Sequence, residues 1–218
     1  SMKLRIFHEN LWKLWLDFRI ILGLIKRLPE DSVQRSKVIE CANDAINGYA
    51  DNQVNVNISR NILKQELSKH SSASDLKVNA IGHAHIDTAW LWPVKESIRK
   101  CARTFATQLS IIEKYPDYVF GASQPQHYQF IKDYYPEIFL RIKDAVIKGQ
   151  WECQGGMWVE ADCNLISGES MIRQIIHGKN FFMDEFGVDV DNLWLPDVFG
   201  YSAALPQILR KSNIKYFL

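Results

Sequence analysis

The sequence has no excess of charge of either sign and no long uninterrupted hydrophobic run. Its 26 basic and 25 acidic residues leave a net charge of +1 at pH 7, so its charge does not favour nucleic acid or a membrane surface as a partner. The most apolar stretch, residues 11–28, contains Lys13, Asp17 and Arg19, which excludes it as a membrane span. We therefore expect a globular protein that binds neither nucleic acid nor a membrane.

Cysteine is also scarce. The four cysteines are widely spaced along 218 residues and form no CxxC pair: Cys41, Cys101, Cys153 and Cys163. This spacing argues against a disulfide framework and against a cysteine-rich metal site. No secretory signal opens the chain. We expect free thiols and a cytoplasmic location.

What the sequence does contain is enough apolar residues, 47% of the total, to bury a sizeable core. Residues from about 10 to 69 show apolar positions at three- and four-residue steps, which predicts helices, with a break at Pro29. Residues 71–75, SSASD, are typical of a linker. We expect a helical N-terminal segment and linker over residues 1–75 and a second region over residues 76–218.

In the second region, short apolar runs alternate with longer helical patterns. The runs cover residues 78–82, 118–122, 151–154, 193–195 and 215–218. The helical patterns cover about 94–114, 129–148 with a possible break at Pro136, 167–186 and 203–212. This alternation predicts right-handed βα units around a parallel sheet or barrel.

Polar residues that suit metal binding follow two of the predicted strands. The first strand leads into His83, His85 and Asp87, and Asp197 follows the fourth. Alternate residues of an extended chain share a face, and the carboxyl ends of parallel strands meet at one edge of the sheet. Imidazole nitrogen and carboxylate oxygen are ligands for a divalent ion, zinc above all. The pattern predicts a metal site with Asp197 as the third ligand.

The residues alone leave other interpretations open. Asp87 and Asp197 could each cap the helix that follows. His83 could support the ligands through a hydrogen bond, or it could be an ordinary buried histidine.

Three more residues near the strand ends are candidates for the site. Trp90 comes directly after the predicted ligands, where an indole could stack on a sugar ring, although tryptophan is more often a core residue. Glu160 and Asp162 follow a glycine pair at the end of the third strand. They could line a pocket or lie on the surface.

Three segments together resemble a known family. GHAHIDTAWLWP (residues 82–93), GGMWVEADCNLISGES (155–170) and LWLPDVFGYSAALPQI (193–208) resemble, in this order, the N-terminal motifs of the α-mannosidases of glycoside hydrolase family 38, and in particular its cytosolic and bacterial branch. The resemblance covers about residues 77–218. It implies an α/β fold in which this chain, after a helical N-terminal segment, forms part of a seven-stranded (β/α) barrel-like catalytic domain.

The resemblance also implies roles for single residues. They are metal ligation by His85, Asp87 and Asp197, nucleophilic attack by Asp197, a wall of the sugar site formed by Trp90, support of the ligands by His83, and a place for Glu160 and Asp162 in the substrate pocket. The metal implied is one Zn²⁺, which another divalent cation could replace.

The activity implied is retaining, zinc-dependent hydrolysis of terminal α-mannose from oligosaccharides or glycans. The family's fourth metal ligand and its acid/base carboxylate lie downstream of the nucleophile motif and beyond Leu218. We therefore expect this chain to belong to a longer enzyme, to be inactive alone and to be capable of homo-oligomer formation. The histidine and aspartate pattern alone also fits a metal-dependent amidohydrolase or polysaccharide deacetylase, in which a metal-bound hydroxide attacks the substrate.

Overall fold

A computed structural model describes residues 6–49, 55–69 and 78–218 of the chain. The chain divides into two compact units, residues 1–77 and 78–218. The predicted linker at 71–75 lies outside the described residues, so the boundary placed there stays a prediction. None of the helices in the described ranges is both long enough and apolar enough to cross a membrane.

The part of the first unit that the structure describes contains three helices, as the apolar periodicity predicts. They are α1 (Glu9–Arg27), α2 (Val33–Tyr49) and α3 (Val56–Leu67). α1 ends just before Pro29, whose ring and missing N–H prevent the helix from continuing. The Ser32 hydroxyl accepts a hydrogen bond from the backbone N–H of Arg35 at 3.2 Å and so caps the start of α2. The apolar faces of the helices share one core, which includes Leu14, Ile21, Val38 and Leu63.

The second unit alternates strands and helices. In chain order it consists of β1 (Gly82–His83), α4 (Val94–Lys114), β2 (Phe120–Ala122), α5 (Pro125–Tyr134), α6 (Pro136–Ile147), β3 (Trp151–Cys153), α7 (Gly168–Phe186), β4 (Asn192–Leu193), α8 (Leu205–Lys211) and β5 (Tyr216–Phe217). The helical pattern over 129–148 is two helices, and α6 begins at Pro136, a position where the missing N–H costs nothing.

The five strands in the described ranges pair in parallel and form two sheets. One has the order β1-β2-β3, with Gly82 opposite Phe120 and Phe120 opposite Trp151, and the other pairs β4 with β5. The predicted parallel α/β arrangement is therefore present. The described strands do not form a closed seven-stranded barrel, and they are shorter than the apolar runs that predicted them.

Two apolar clusters hold the strand ends in place. The larger one lies around β2 and β3 and includes Trp151, Tyr128 and Phe105. Within it, the buried Tyr128 hydroxyl donates to the carbonyl of Ala122 at 2.8 Å and accepts from the Trp151 indole N–H at 2.9 Å. Both polar groups are thus satisfied inside the core, as burial requires. The second cluster packs α7 and α8 against β4.

Glycine lets α7 approach the segment that follows β3. A Cβ on Gly178 would lie 2.2 Å from the backbone oxygen of Gly156, and Gly155 has φ +69°. The close approach requires glycine at position 178, and the left-handed backbone conformation favours glycine at position 155. The contact holds residues 155–162, which contain two of the candidate site residues, against the body of the unit.

Candidate active site

The structure brings together the three residues predicted to bind metal. Nε2 of His85 lies 3.3 Å from Oδ1 of Asp87 and 3.4 Å from Oδ2 of Asp197. One potential ligand atom from each residue lies within 4.8 Å of the other two. His85 and Asp87 follow β1, and Asp197 follows β4, so the cluster joins residues from the ends of strands in two different sheets.

The separations suit a zinc ion. Tetrahedral zinc with bonds of 2.0–2.2 Å places neighbouring ligand atoms about 3.3–3.6 Å apart, and both distances from the imidazole fall in that range. The side chain of Asp197 is 63% exposed, whereas that of His85 is 24% exposed. One nitrogen and two carboxylates with an open side have the form of a catalytic site, in which one position stays available to water or substrate.

Neither aspartate caps a helix. The residue at the N-terminal cap of α4 is Pro93, and that of α8 is Ala204. The capping interpretation of Asp87 and Asp197 is therefore wrong.

The other nitrogen of His85 faces a buried carboxylate. Nδ1 lies 2.9 Å from Oε2 of Glu160, whose side chain is 5% exposed. Both atoms are buried, and neither has a well-aligned hydrogen bond with any described residue. The short distance between the imidazole and the carboxylate therefore compensates for their burial. The pKa of His85 is raised to about 9, and the main cause is its interaction with Glu160. Burial lowers the pKa of His85, whereas Asp87 raises it further.

His83 has no lone pair to give to a metal. Its Nε2 accepts from the indole N–H of Trp194 at 3.1 Å, and an indole can only donate. Nδ1 therefore carries the proton and donates to the carbonyl of Gly121 at 3.0 Å. Gln154 Nε2, 3.2 Å from the same nitrogen, cannot donate to it in this tautomer. His83 lies close to His85, and its hydrogen bonds link β1 to β2 and to Trp194. These contacts are compatible with a supporting role, which stays a prediction.

A buried network beside the cluster was not predicted. The Thr88 hydroxyl donates to Oε1 of Gln124 at 3.0 Å, so it accepts from Nε2–H of His127 at 2.8 Å. The amide of Gln124 donates to the carbonyl of Ile86 at 3.0 Å. Burial is the largest cause that lowers the pKa of His127 to about 3, which keeps its imidazole neutral. The position of SQPQ (123–126) at a strand end was the only sequence signal for this network.

The contacts of two predicted substrate-binding residues are with near neighbours in the chain. Trp90 is 64% exposed and packs edge-to-face against Trp92 at a centroid distance of 5.4 Å, so it is not a core residue. Asp162 accepts from the backbone N–H of Asn164 at 2.8 Å, within a local turn. Substrate contact by either residue stays a prediction.

Comparison with known sequences relates this chain to a family. The model of the family described as "Glycosyl hydrolases family 38 N-terminal domain" matches residues 75–218. "Alpha-mannosidase 2C1" of Mus musculus is 42% identical over 217 residues, which are 99% of this chain and 21% of that protein. "Alpha-mannosidase" of Saccharomyces cerevisiae is 36% identical, over 94% of this chain and 20% of that protein. The chain spans about a fifth of the length of these relatives.

Solved structures agree at the level of the fold. An α-mannosidase from Enterococcus faecalis V583 superposes with a TM-score of 0.58 at 26% identity, over 63% of this chain and 16% of that one. A 4-alpha-glucanotransferase from Thermococcus litoralis reaches a TM-score of 0.50 at 18% identity, over 63% of this chain and 21% of that one. The second likeness shows a shared fold and nothing about activity.

Proposed function

This chain belongs to glycosyl hydrolase family 38, and on that premise we propose that it supplies metal ligands and the nucleophile of a retaining, zinc-dependent α-mannosidase. The substrate is terminal α-mannose on oligosaccharides or glycans. One observation supports the proposal above all: a single imidazole nitrogen, Nε2 of His85, faces both Asp87 and Asp197 at separations that suit zinc. The family match favours this activity over the amidohydrolase and deacetylase alternative.

His85, Asp87 and Asp197 would hold the cation. When bound, a divalent ion supplies a fixed positive charge that polarises and orients oxygen groups of a substrate. Zinc suits the mixed nitrogen and oxygen donors, and another divalent cation of similar size could take its place.

Asp197 is suited to act as the nucleophile. Its exposed side chain follows Leu195, which is fully buried and whose N–H donates to the carbonyl of Leu218 at 2.7 Å. A rigid backbone thus presents an accessible carboxylate. In a retaining glycosidase such a carboxylate forms a bond to the anomeric carbon as the glycosidic bond breaks, and water later cleaves the glycosyl–enzyme bond.

Trp90 would form one wall of the sugar site. Its exposed indole follows Asp87 by three residues, and it packs against Trp92, which limits its freedom to move. A large aromatic surface so close in sequence to a metal ligand can support the apolar face of a sugar ring.

The proposal extends to the whole protein. It includes a seven-stranded (β/α) barrel to which the strands of this chain contribute, a cytoplasmic location and association into homo-oligomers. The free state of all four cysteines supports a reducing compartment. The names of the relatives support an α-mannoside substrate.

The experiment that tests the proposal measures hydrolysis of an aryl α-mannoside by an enzyme that contains this chain. We expect D197A to lose at least 1,000-fold in kcat, about 4 kcal/mol of transition-state stabilisation. The matched control is D184N, which changes an exposed aspartate on α7 and should retain parental activity. Turnover by D197A near the parental rate would exclude Asp197 as the nucleophile.

A further inference from the structure

We propose that Glu160 is a positioning residue that holds the His85 ring in the one orientation that turns Nε2 toward Asp87 and Asp197. The inference rests on the proposed function in taking that face as the metal site. It assigns Glu160 a role that differs from the substrate contact suggested by the family resemblance.

The two edges of the His85 ring meet different groups. Nε2 faces the more exposed side of the cluster, where Asp87 and Asp197 lie at 3.3 and 3.4 Å. Nδ1 faces inward, 2.9 Å from the buried Oε2 of Glu160. Carboxylates face both ring edges, but the one at Nδ1 is the nearer and the more buried. When a cation takes the place of the proton on Nε2, Glu160 keeps the proton on Nδ1 and so holds Nε2 toward the metal.

Glu160 can orient its neighbour because it is itself held from two sides. The Ser123 hydroxyl donates to its other oxygen, Oε1, at 2.5 Å. Its backbone N–H donates to Oε1 of Gln124 at 3.3 Å. Ser123 and Gln124 are 5% and 3% exposed, so water does not compete for these bonds.

Gln124 is held in an unusual backbone conformation. Its φ is +63°, although it is not a glycine. A residue in this conformation is strained and persists where surrounding contacts require it. Here that conformation accompanies an amide side chain that contacts both the Glu160 segment and the segment carrying Ile86 and Thr88.

The arrangement leaves Glu160 few other roles. Its side chain is 5% exposed, one oxygen is engaged by Ser123, and the other faces His85. His83, His85 and Glu160 are close enough to suggest a second metal group, but both nitrogens of His83 are occupied by Trp194 and Gly121. A buried carboxylate needs a partner, and the geometry gives it His85.

The first test measures Zn²⁺ binding by isothermal titration calorimetry to an enzyme that contains this chain. Loss of a partner that orients a metal-ligating histidine typically weakens metal binding 10–100-fold. We expect a loss in this range for E160A and a smaller one for S123A, which leaves the carboxylate in place but less constrained. The matched control is E152Q, which changes an exposed carboxylate on β3 and should bind like the parent. Parental affinity in E160A would overturn the inference while leaving the proposed metal site intact.

The second test needs no metal. In nuclear magnetic resonance spectra of protein labelled with ¹⁵N-histidine, we expect a slowly exchanging Nδ1–H proton signal from His85. The signal is assigned by its absence in H85N. It should vanish in E160A and remain in E152Q. If the parent lacks the signal, or E160A retains it, the inference is wrong.

The two readouts separate this inference from the proposed function. If the parent binds no Zn²⁺, the proposed metal site fails, and the imidazole signal still decides whether Glu160 orients His85. Far-ultraviolet circular dichroism checks that each variant folds. If E160A does not fold, the test uses E160Q, which keeps the volume of the side chain and removes its charge. We expect the same loss of zinc affinity in E160Q.

Discussion

Three histidines of the second unit differ in the groups that contact their ring nitrogens. His83 has both nitrogens engaged by Trp194 and Gly121, whereas His85 has carboxylates at both ring edges. His127 is 3% exposed and donates to Thr88. The sequence pattern alone cannot rank them, because the role of an imidazole is set by the groups around each nitrogen.

His127 should make the protein less stable in acid. Its pKa is about 3 in the folded state and about 6.5 in the unfolded state. Because the unfolded chain binds the proton first, the stability from neutral His127 is full above pH 6.5 and is lost as pH falls toward 3. At pH 5 the loss is about 2 kcal/mol.

The measurement is urea unfolding of the parent and H127N at pH 7 and pH 5. We expect H127N to be less stable at pH 7 but to lose less stability between the two pH values. H177N, which replaces an exposed histidine on α7, should follow the parent. An equal acid-dependent loss in H127N and the parent would show that His127 is not the cause.

At the scale of single elements, the helices follow local sequence rules and the strands do not. α4 spans Val94–Lys114, as its apolar spacing predicts, and α6 begins at Pro136. The described strands are only two or three residues long, because the residues of the predicted runs do not all join a ladder. Val78, for example, is 82% exposed and lies before β1.

The start of α7 depends on one serine. Ser167 lies at the N-terminal cap, and its hydroxyl accepts from the backbone N–H of Ser170 at 3.2 Å. We expect S167A to lower the free energy of unfolding by about 1 kcal/mol, measured by urea unfolding. S110A changes an exposed serine inside α4 and should change stability by less than about 0.5 kcal/mol. Equal effects of the two variants would rule out capping as the cause.

The packing of α7 against residues 155–162 should not tolerate a methyl group at Gly178. Alanine gains about 1 kcal/mol of helix propensity over glycine, but its Cβ would lie 2.2 Å from the backbone oxygen of Gly156. Overpacking typically costs about 1–3 kcal/mol, and a backbone atom cannot rotate away. We therefore expect net destabilisation of G178A in urea unfolding.

The control for G178A is G168A at the first residue of α7, where an added Cβ would meet nothing within 4 Å. It should unfold close to the parental urea midpoint. A G178A variant at least as stable as the parent would show that α7 can shift at no cost.

At the scale of the molecule, the candidate metal ligands connect two sheets. His85 and Asp87 follow β1 in the three-stranded sheet, and Asp197 follows β4 in the two-stranded sheet. A cation bound by all three would favour the folded state, because the unfolded chain does not hold these groups together.

Zinc should therefore raise the melting temperature. At a free concentration 100 times the Kd, binding adds about 2.7 kcal/mol to the folded state. We expect differential scanning fluorimetry to show a rise with Zn²⁺ that EDTA reverses and that H85A abolishes. D184N should respond like the parent, and an equal rise in H85A would place the zinc elsewhere.

Local patterns determined the kinds of element and much of their extent. A helix is specified by apolar residues three and four apart and by prolines such as Pro29 and Pro136, all within a few residues of one another. The ligand candidates His85, Asp87 and Asp197 were also identifiable, because ligand-type residues follow predicted strand ends and the motifs resemble those of a known family.

Only the tertiary structure decided how these residues are held. The hydrogen bond between His83 and Gly121 joins residues 38 positions apart, and the one between Trp194 and His83 joins residues 111 positions apart. The hydrogen bond between Ser123 and Glu160 joins residues 37 positions apart. Each depends on the parallel register of strands and on the turn after β3. Side-chain partners over such separations are set by which backbones lie side by side, and no local pattern records that.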